Sequence, residues 1–558
     1  MIQPYVRLLC VAFFGHVSVA QNAPPLEQRV HALYDAGKWP EAARLADTEQ
    51  PPCAGVLFYK GLSLAKLKNF AAATAAFKEG EKTFPKDKRF PVELAGIAYL
   101  EKDNRAAKRY LRRALQLDAT DKYAVDFLAT LYLLDQNTEA TLKYWNRIGK
   151  PLIQELRFEP QPPLAPLIRD RAFDISGGQV LTVKRLEQTE ANLNRLHVLS
   201  ELHFEIAPGQ GERSDLIIRS VPIAQPFAGW AGRILPILRE LPYQGIAFDL
   251  YNMQRKAINF SSLERWDPNK RRVNLEISGP LHGNPRFEYE YVLDARDETW
   301  DLPSTIYRAP APIGGLRLRR TEAGTNFEAG LSPKLQWTLG GRVSYRDYSH
   351  VQHSSPFSNG WLAEIDNRID YLLWTRPEDR IRVNGWGSFD AGRLFSATPS
   401  RIVRTRAGLM GEWKPGASGS TWHIAEQTQG GRMFGDAPLD ELFSLGMERD
   451  NDYALWLRGI AGTRDGRKGN APLGREYGIS QTDAGRRIWQ APLIRVEAGP
   501  FFDAGWTGDA MQVFGTREIR YDTGVQMKVR TAGAVTVRLV YGRDLATGRG
   551  AFYTAVSR

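Results

Sequence analysis

The sequence predicts a multidomain protein: an α-helical solenoid, then a small α+β domain, then an antiparallel transmembrane β-barrel of roughly 16 strands. Three observations lead to this fold class. Residues 21–150 are rich in Ala and Leu and show helical periodicity. Residues 151–223 combine strand-like segments with one amphipathic helix, and residues 224–558 contain many short segments in which apolar and polar residues alternate.

The first 20 residues have the composition of a secretory signal peptide. Arg7 supplies the basic start, Leu8 to Val19 form a short apolar core, and Ala20 ends a small-x-small cleavage site. The apolar core is too short for a transmembrane helix, and no later stretch runs ~20 residues without a charge. We therefore expect export of the mature chain and no membrane-spanning helix.

The helical region repeats itself. Small and aromatic side chains recur about 34 residues later: Leu57, Gly61, Ala73, Phe77 and Pro85 are matched by Pro91, Ala95, Ala107, Leu111 and Ala119. This pattern resembles tetratricopeptide (TPR) repeats, although an unrelated array of helical hairpins would also fit it. In either case the concave surface is expected to bind a protein or peptide.

A proline-rich linker at 151–166 is expected to lead into the α+β domain. Its predicted elements are a strand at Phe173–Ser176, a helix at Lys184–Leu196, and strands at Leu202–Ile206 and Leu216–Val221. Their order, and the junction Arg195-Leu196-His197-Val198-Leu199, resemble one POTRA domain, the periplasmic module that precedes BamA-type barrels. A small α+β spacer of another kind is the alternative.

The C-terminal segments have one apolar and one charged face. Phe287, Tyr289, Tyr291 and Leu293, for example, alternate with Glu288, Glu290, Val292 and Asp294. In a membrane barrel one face meets lipid and the other lines the interior. A soluble sandwich would instead turn its charges to water, and alternation alone does not separate the two. About eleven strand candidates precede Arg458 and about five follow it.

Two short motifs lie near the C-terminus. Leu457-Arg458-Gly459-Ile460 lies in a long glycine-rich loop, and Phe501-x-Asp503-x-Gly505 lies on a candidate strand. They resemble the loop motif V/L-R-G-F/Y and the strand motif F-x-D-x-G of the BamA/TamA superfamily. The resemblance covers about residues 170–558 and is strongest from 445 onward.

The resemblance implies specific roles for these residues. The loop would fold into the barrel, where Arg458 would grip Asp503 with a bidentate guanidinium. The family usually places a Glu on the strand after the loop, and Glu476 is the candidate for this second carboxylate. An exposed Arg458 with no fixed partner is the alternative. The chain departs from many outer-membrane barrels because it ends in Arg558 rather than an aromatic residue.

The function implied by the resemblance is insertion or translocation of proteins at the outer membrane of a Gram-negative bacterium. The barrel would contact outer-membrane lipid, and the N-terminal domains would lie in the periplasm, where the repeats would recruit a protein partner or client. The first and last strands, Gly245–Met253 and Gly550–Val556, would form a weak seam. A polysaccharide-export porin with a TPR domain is the main alternative, and a structural or receptor barrel is another.

Other classes of function are not indicated. The 74 basic and 63 acidic residues are interspersed despite a net charge of +11, so no nucleic acid is expected as a partner. No nucleophile elbow, zinc-protease or phosphate-loop motif occurs, so we expect no enzyme, no catalytic residue and no cofactor. His350 and His353 stand in a serine-rich loop, where no metal site is expected.

Overall fold

The structure is a computed structural model. It describes residues 25–48, 52–211, 213–223, 240–308, 311–352, 354, 356–415, 421–491, 494–514, 518–531 and 536–557. The predicted signal peptide, residues 1–20, lies outside the described residues. The chain divides into two compact units, and the boundary falls between Leu131 and Tyr132.

The first unit is helical, as the sequence predicts. Its helices are α1 (Leu26–Asp35), α2 (Trp39–Ala46), α3 (Ala54–Lys66), α4 (Phe70–Thr83), α5 (Arg89–Leu100), α6 (Asn104–Leu117) and α7 (Lys122–Leu134), the last of which runs across the unit boundary. Glycines let aromatic rings approach the neighbouring helix closely. A Cβ on Gly61 would lie 2.3 Å from the ring of Phe77, and one on Gly80 would lie 2.2 Å from the ring of Phe90.

The second unit begins with one helix and a small α+β domain. The elements are α8 (Thr138–Trp145), β1 (Leu152–Phe158), α9 (Pro166–Ala172), α10 (Val183–Arg195), β2 (Leu199–Pro208) and β3 (Arg213–Pro222). The sheet order is β1-β3-β2, with β1 parallel and β2 antiparallel to β3.

Two predictions for this domain were wrong. The stretch Phe173–Ser176 is not a strand, because the Asp174 N–H donates to the hydroxyl of Thr189 on α10 at 3.0 Å rather than to a neighbouring strand. The first strand is instead β1, inside the segment predicted to be a linker. It fits between Pro151 and Pro160, where no proline removes a backbone donor from its ladder.

A large antiparallel sheet follows. Its first ten long strands are β4 (Gly245–Met253), β5 (Ile258–Asp267), β6 (Lys270–Pro280), β7 (Phe287–Leu302), β8 (Ile313–Ser332), β9 (Leu335–Ser349), β10 (Gly360–Arg376), β11 (Ile381–Phe395), β12 (Ser400–Trp413) and β13 (Trp422–Phe434). A long loop carries four two-residue strands: β14 (Phe443–Ser444), β15 (Thr463–Arg464), β16 (Arg467–Lys468) and β17 (Leu473–Gly474). Five long strands complete the sheet: β18 (Glu476–Ala491), β19 (Ile494–Gly508), β20 (Arg520–Thr531), β21 (Thr536–Asp544) and β22 (Gly550–Ser557).

The strand order returns to its start. Each long strand pairs with its neighbour in sequence, β13 pairs with β18, and β22 lies next to β4. In the described part of the chain, ten long strands precede the loop and five follow it. Because the directions alternate along an odd number of strands, β4 and β22 run the same way.

The two faces of this sheet are reversed relative to a soluble protein. Apolar side chains of β7 and β10 are more than half exposed, including Tyr291 and Ile365, whereas Glu364 and Arg346 on the other face are buried. We call the buried, charged side the inner face. A soluble sandwich would bury the apolar side. Separately, none of the described helices has the length and apolar character needed to cross a membrane.

The α+β domain contacts the turns at one end of the sheet. The backbone N–H of Ala165 donates to the carbonyl of Arg255 in the β4–β5 turn at 2.7 Å. On the far side, Arg530 of β20 donates to the carbonyl of Ser200 at 2.9 Å. Just before α8, the amide of Asn137 donates to the carbonyl of Pro377 in the β10–β11 turn at 2.8 Å.

Candidate functional site

The loop between β13 and β18 packs against the inner face of the sheet. Its apolar residues Leu439, Leu445, Leu457 and Leu473 are almost completely buried. They share one core cluster with inward residues of the strands, which include Leu316, Leu318, Tyr348, Leu362, Leu394, Ile402, Met433 and Ile479. A loop that buries leucines against a strand wall is held there by the hydrophobic effect, independently of its charges.

Arg458 is fully buried and sits at the centre of a carboxylate site. Its Nε lies 2.8 Å from Asp503 Oδ2, its backbone N–H donates to the same oxygen at 3.0 Å, and its Nη2 donates to Oδ1. Its Nη1 donates to Asp483 Oδ1 and, at 2.9 Å, to the hydroxyl of Tyr453. The guanidinium also lies 3.9 Å from the centre of the Phe501 ring, a cation–π distance.

Solved structures similar to this chain include BamA and CdiB. BamA from Haemophilus ducreyi is 12% identical over 73% of this chain and 84% of that chain, with a TM-score of 0.40. CdiB from Escherichia coli is 15% identical over 73% of this chain and 75% of that chain, with a TM-score of 0.44.

A third structure, MamA from Desulfovibrio magneticus RS-1, is 18% identical over 22% of this chain and 72% of that chain, with a TM-score of 0.21. No family model matches the sequence, and no curated protein matches it. With TM-scores below 0.5, these likenesses carry no inference about function.

The glycines of the two motifs allow close approach. The N–H of Gly459 donates to Asp522 Oδ2 at 2.7 Å. A Cβ on Gly459 would lie 2.5 Å from the backbone nitrogen of Asp544, so a side chain does not fit there. At Gly505 a Cβ would lie 3.1 Å from Leu457 Cδ2, so this position is tight but less constrained.

The remaining motif residues support the loop. The carbonyl of Ile460 accepts from the Met447 N–H at 2.8 Å, and the carbonyl of Trp456 accepts from Gln481 Nε2 at 2.8 Å. Through these bonds the motif is tied both to another part of the loop and to β18. The structure thus brings together Leu457, Arg458, Gly459 and Ile460 with Phe501, Asp503 and Gly505.

The second carboxylate is Asp483, and the prediction of Glu476 was wrong. Glu476 pairs with the exposed Arg432 at 3.2 Å. Side chains alternate along a strand, and the seven-residue offset between Glu476 and Asp483 puts them on opposite faces. Only the inner face of β18 meets Arg458.

Sequence reasoning also missed Tyr453 and Asp522. Asp522 stands directly opposite Asp503 in the β19–β20 register, so a correct strand alignment would have found it. Tyr453 lies five residues before Arg458 in an irregular loop, where no periodic signal places it. Together, three aspartates on three neighbouring strands receive one buried arginine and one glycine N–H. This arrangement holds a loop in place.

Proposed function

We propose that this protein is an outer-membrane β-barrel of the BamA/TamA superfamily that inserts or translocates proteins. In this proposal the sheet closes as a transmembrane barrel, and the α+β domain is a POTRA-like module in the periplasm. The N-terminal helices are TPR-like repeats that recruit a protein partner or client there. The single observation that carries the proposal is the buried contact of Arg458 with Asp503 on the inner face.

The reversed faces of the sheet support a lipid environment. An exposed band of large apolar side chains around a buried, charged interior is typical of outer-membrane barrels. On a soluble monomer, the same exposed band of apolar side chains would promote aggregation. The apolar face therefore fits contact with outer-membrane lipid.

The mechanism in this proposal involves no covalent step. The strands β4 and β22 run in the same direction, and β22 is only eight residues long. Near this seam the rings of Tyr243 and Tyr553 lie 6.3 Å apart. A short edge ladder is easier to open than the 15- and 16-residue strands elsewhere, and an opened edge offers unpaired backbone groups to an incoming strand.

The test is a depletion strain of the natural host complemented with the wild-type protein or with Arg458→Ala. We expect depletion to lower the abundance of one or more outer-membrane or exported proteins, the wild type to restore them, and the variant to restore them poorly. The chain itself should fractionate with the outer membrane and migrate differently on gels before and after heating. An unchanged envelope and secreted proteome on depletion would overturn the proposal.

A polysaccharide-export porin remains the second candidate because of one cavity. This cavity, of about 370 Å³, lies on the inner face near the α+β domain and is lined by Glu276, Glu288, Glu290, Tyr251 and Tyr289. Acidic and aromatic linings suit a sugar chain. The loop with Arg458 lies in the path that such a chain would need. Loss of surface polysaccharide with an intact proteome, in the same depletion strain, would favour this alternative.

A further inference from the structure

A second charged site joins the loop to the inner face, away from Arg458. Asp440 and Glu441 lie in a short 3-10 helix, Leu439–Glu441, soon after β13. They face four arginines, which come from three strands: Arg320 of β8, Arg342 and Arg346 of β9, and Arg404 of β12. None of these strands contributes a contact to Arg458 in the described part of the chain.

The contacts of Glu441 are short and use both oxygens. Its Oε2 accepts from Arg404 Nη2 at 2.6 Å and from Arg342 Nη2 at 3.2 Å. Its Oε1 accepts from Arg346 Nη2 at 3.1 Å. Asp440 accepts from the hydroxyl of Tyr348 at 2.5 Å and from Arg320 Nη1 at 3.3 Å.

Burial makes this site depend on the loop. Arg346 and Tyr348 are fully buried, and Glu441 is buried as well. The strands supply five carboxylates within 4.0 Å of these arginines, from Asp294, Glu322, Glu364, Asp366 and Asp390. Among the described residues, however, the ion pairs of Arg346 are both with the loop. If the loop left, this buried cation would lose its partners, and an uncompensated buried charge is strongly unfavourable.

A third contact lies on yet another set of strands. Asp450 in the loop pairs with Arg265 of β5 at 3.0 Å and with Arg272 of β6 at 2.8 Å. Lys468 of the loop pairs with Glu298 of β7 at 2.6 Å. The loop is thus fixed to three separate groups of strands.

We infer that Asp440 and Glu441 are positioning residues that form a second anchor of the loop, acting independently of Arg458. The loop contributes the cation of Arg458 to aspartates on the inner face. It also contributes the carboxylates of Asp440 and Glu441 to arginines on the inner face. Loss of Arg458 alone therefore loosens the loop locally but does not release it. Loss of both anchors loosens the loop far more than loss of either one, while the ion pairs of Asp450 and Lys468 remain. This inference rests on the barrel of the proposed function but not on its client or direction of transport.

The test measures exposure of a buried loop residue in the purified full-length protein in detergent. Ala471, which is 2% exposed, is changed to Cys, and the free Cys53 is changed to Ser. The rate of labelling by a water-soluble maleimide then reports opening of the loop. The variants are Arg458→Ala, the pair Asp440→Asn with Glu441→Gln, and all three changes together. Asp465→Asn is the matched control, because that side chain in the same loop is 89% exposed.

We expect each anchor variant to raise the labelling rate by about tenfold and the combined variant to raise it by about a hundredfold, the product of the two separate effects. Glu441→Asp, which keeps the carboxylate, should fall between the wild type and Glu441→Gln. Full labelling in Arg458→Ala alone, with no further increase in the combined variant, would overturn the inference. If the combined variant does not fold, Glu441→Gln with Arg458→Lys provides the same comparison, with the same outcomes.

The readout separates this inference from the proposed function. Labelling is measured without a client, so the expected labelling rates together with an unchanged proteome on depletion contradict the transport proposal alone. Normal transport with a loop released by Arg458→Ala contradicts the second anchor alone.

Discussion

The two ends of the inner face differ in how closely their charged side chains are paired with partners of opposite charge. At the loop end, Arg458 and Glu441 each meet several partners of opposite charge within hydrogen-bond distance. At the α+β end, the cavity is lined by four glutamates, and none of its described lining residues is a Lys or Arg.

The basic side chains nearest to those glutamates stand further away than at the loop end. Arg195 lies 3.6 Å from Glu328, and His197 lies 3.8 Å from Glu288. Paired charges fix a segment of chain, whereas carboxyls gathered around a cavity disfavour one another's ionised form. We call the loop end the closure and the α+β end the vestibule.

The largest expected effect is at Arg458. Arg458→Ala should lower the free energy of unfolding by about 3–5 kcal/mol, because it leaves Asp503 buried without a counter-charge. Asp503→Ala should cost a similar amount, and the double variant should cost less than the sum. The free energy of unfolding is measured by urea titration in detergent, with heat-modifiable gel migration as the readout of the folded fraction.

The matched control is Arg432→Ala. The Arg432 side chain is 55% exposed where it pairs with Glu476, so its loss should cost less than about 1 kcal/mol. Equal effects of the two arginine variants would contradict the contrast between a buried anchor and a surface pair.

The next effect is at Gly459. Gly459→Ala forces a methyl group against the backbone of Asp544 and should cost about 1–3 kcal/mol in the same assay. In Gly485→Ala, on β18, the new methyl group would find its nearest atom at an ordinary 3.8 Å, so little change is expected. An unaffected Gly459→Ala protein would show that the loop tolerates a shift of its backbone here.

A third prediction compares one acid at each end. Asp483→Asn should weaken the hold on Arg458 and cost about 1–3 kcal/mol. Glu288→Gln replaces one of four carboxyls around the vestibule by a neutral amide of the same shape and should be neutral or slightly stabilising, within about 1 kcal/mol. Similar destabilisation by both substitutions would contradict the proposed difference between the loop end and the α+β end of the inner face.

The smallest effect concerns Glu190 on α10. Burial raises the pKa of this carboxyl, and Glu139 adds to the effect against the opposing charges of Arg382 and Lys414. The charged form is therefore unfavourable in the fold, and this cost disappears as pH falls through the raised pKa. Glu190→Gln should stabilise slightly at pH 7, within ~0.5 kcal/mol, and the advantage over wild type should shrink at acidic pH. A constant difference in melting temperature across that range would contradict this.

Sequence reasoning reached the features that depend on local pattern. The helices were predicted from the repeat of small and aromatic residues, and the strands were predicted from the alternation of apolar and polar residues. The contact of Arg458 with Asp503 was inferred from a resemblance of two short motifs. These signals are readable because each lies within a few consecutive residues.

The features that were missed depend on register and on distant partners. Choosing Glu476 over Asp483 was an error of strand parity, and a slip of one residue changes which face a side chain occupies. The contact of Glu441 with Arg346 joins residues 95 positions apart, and no local pattern points to it. Strand β1 was hidden because flanking prolines suggested a linker.

The hydrogen bonds of the α+β domain have a mechanical consequence. The domain bonds to Arg255 in the β4–β5 turn and to Arg530 on β20, so it ties together parts of the sheet on both sides of the junction between β4 and β22. Glu201 adds an ion pair to Arg495 of β19 at 3.2 Å. The domain is thus a brace across the junction between β4 and β22. Any widening at that junction must stretch or break the brace, so the separation of the two strands and the position of the domain change together.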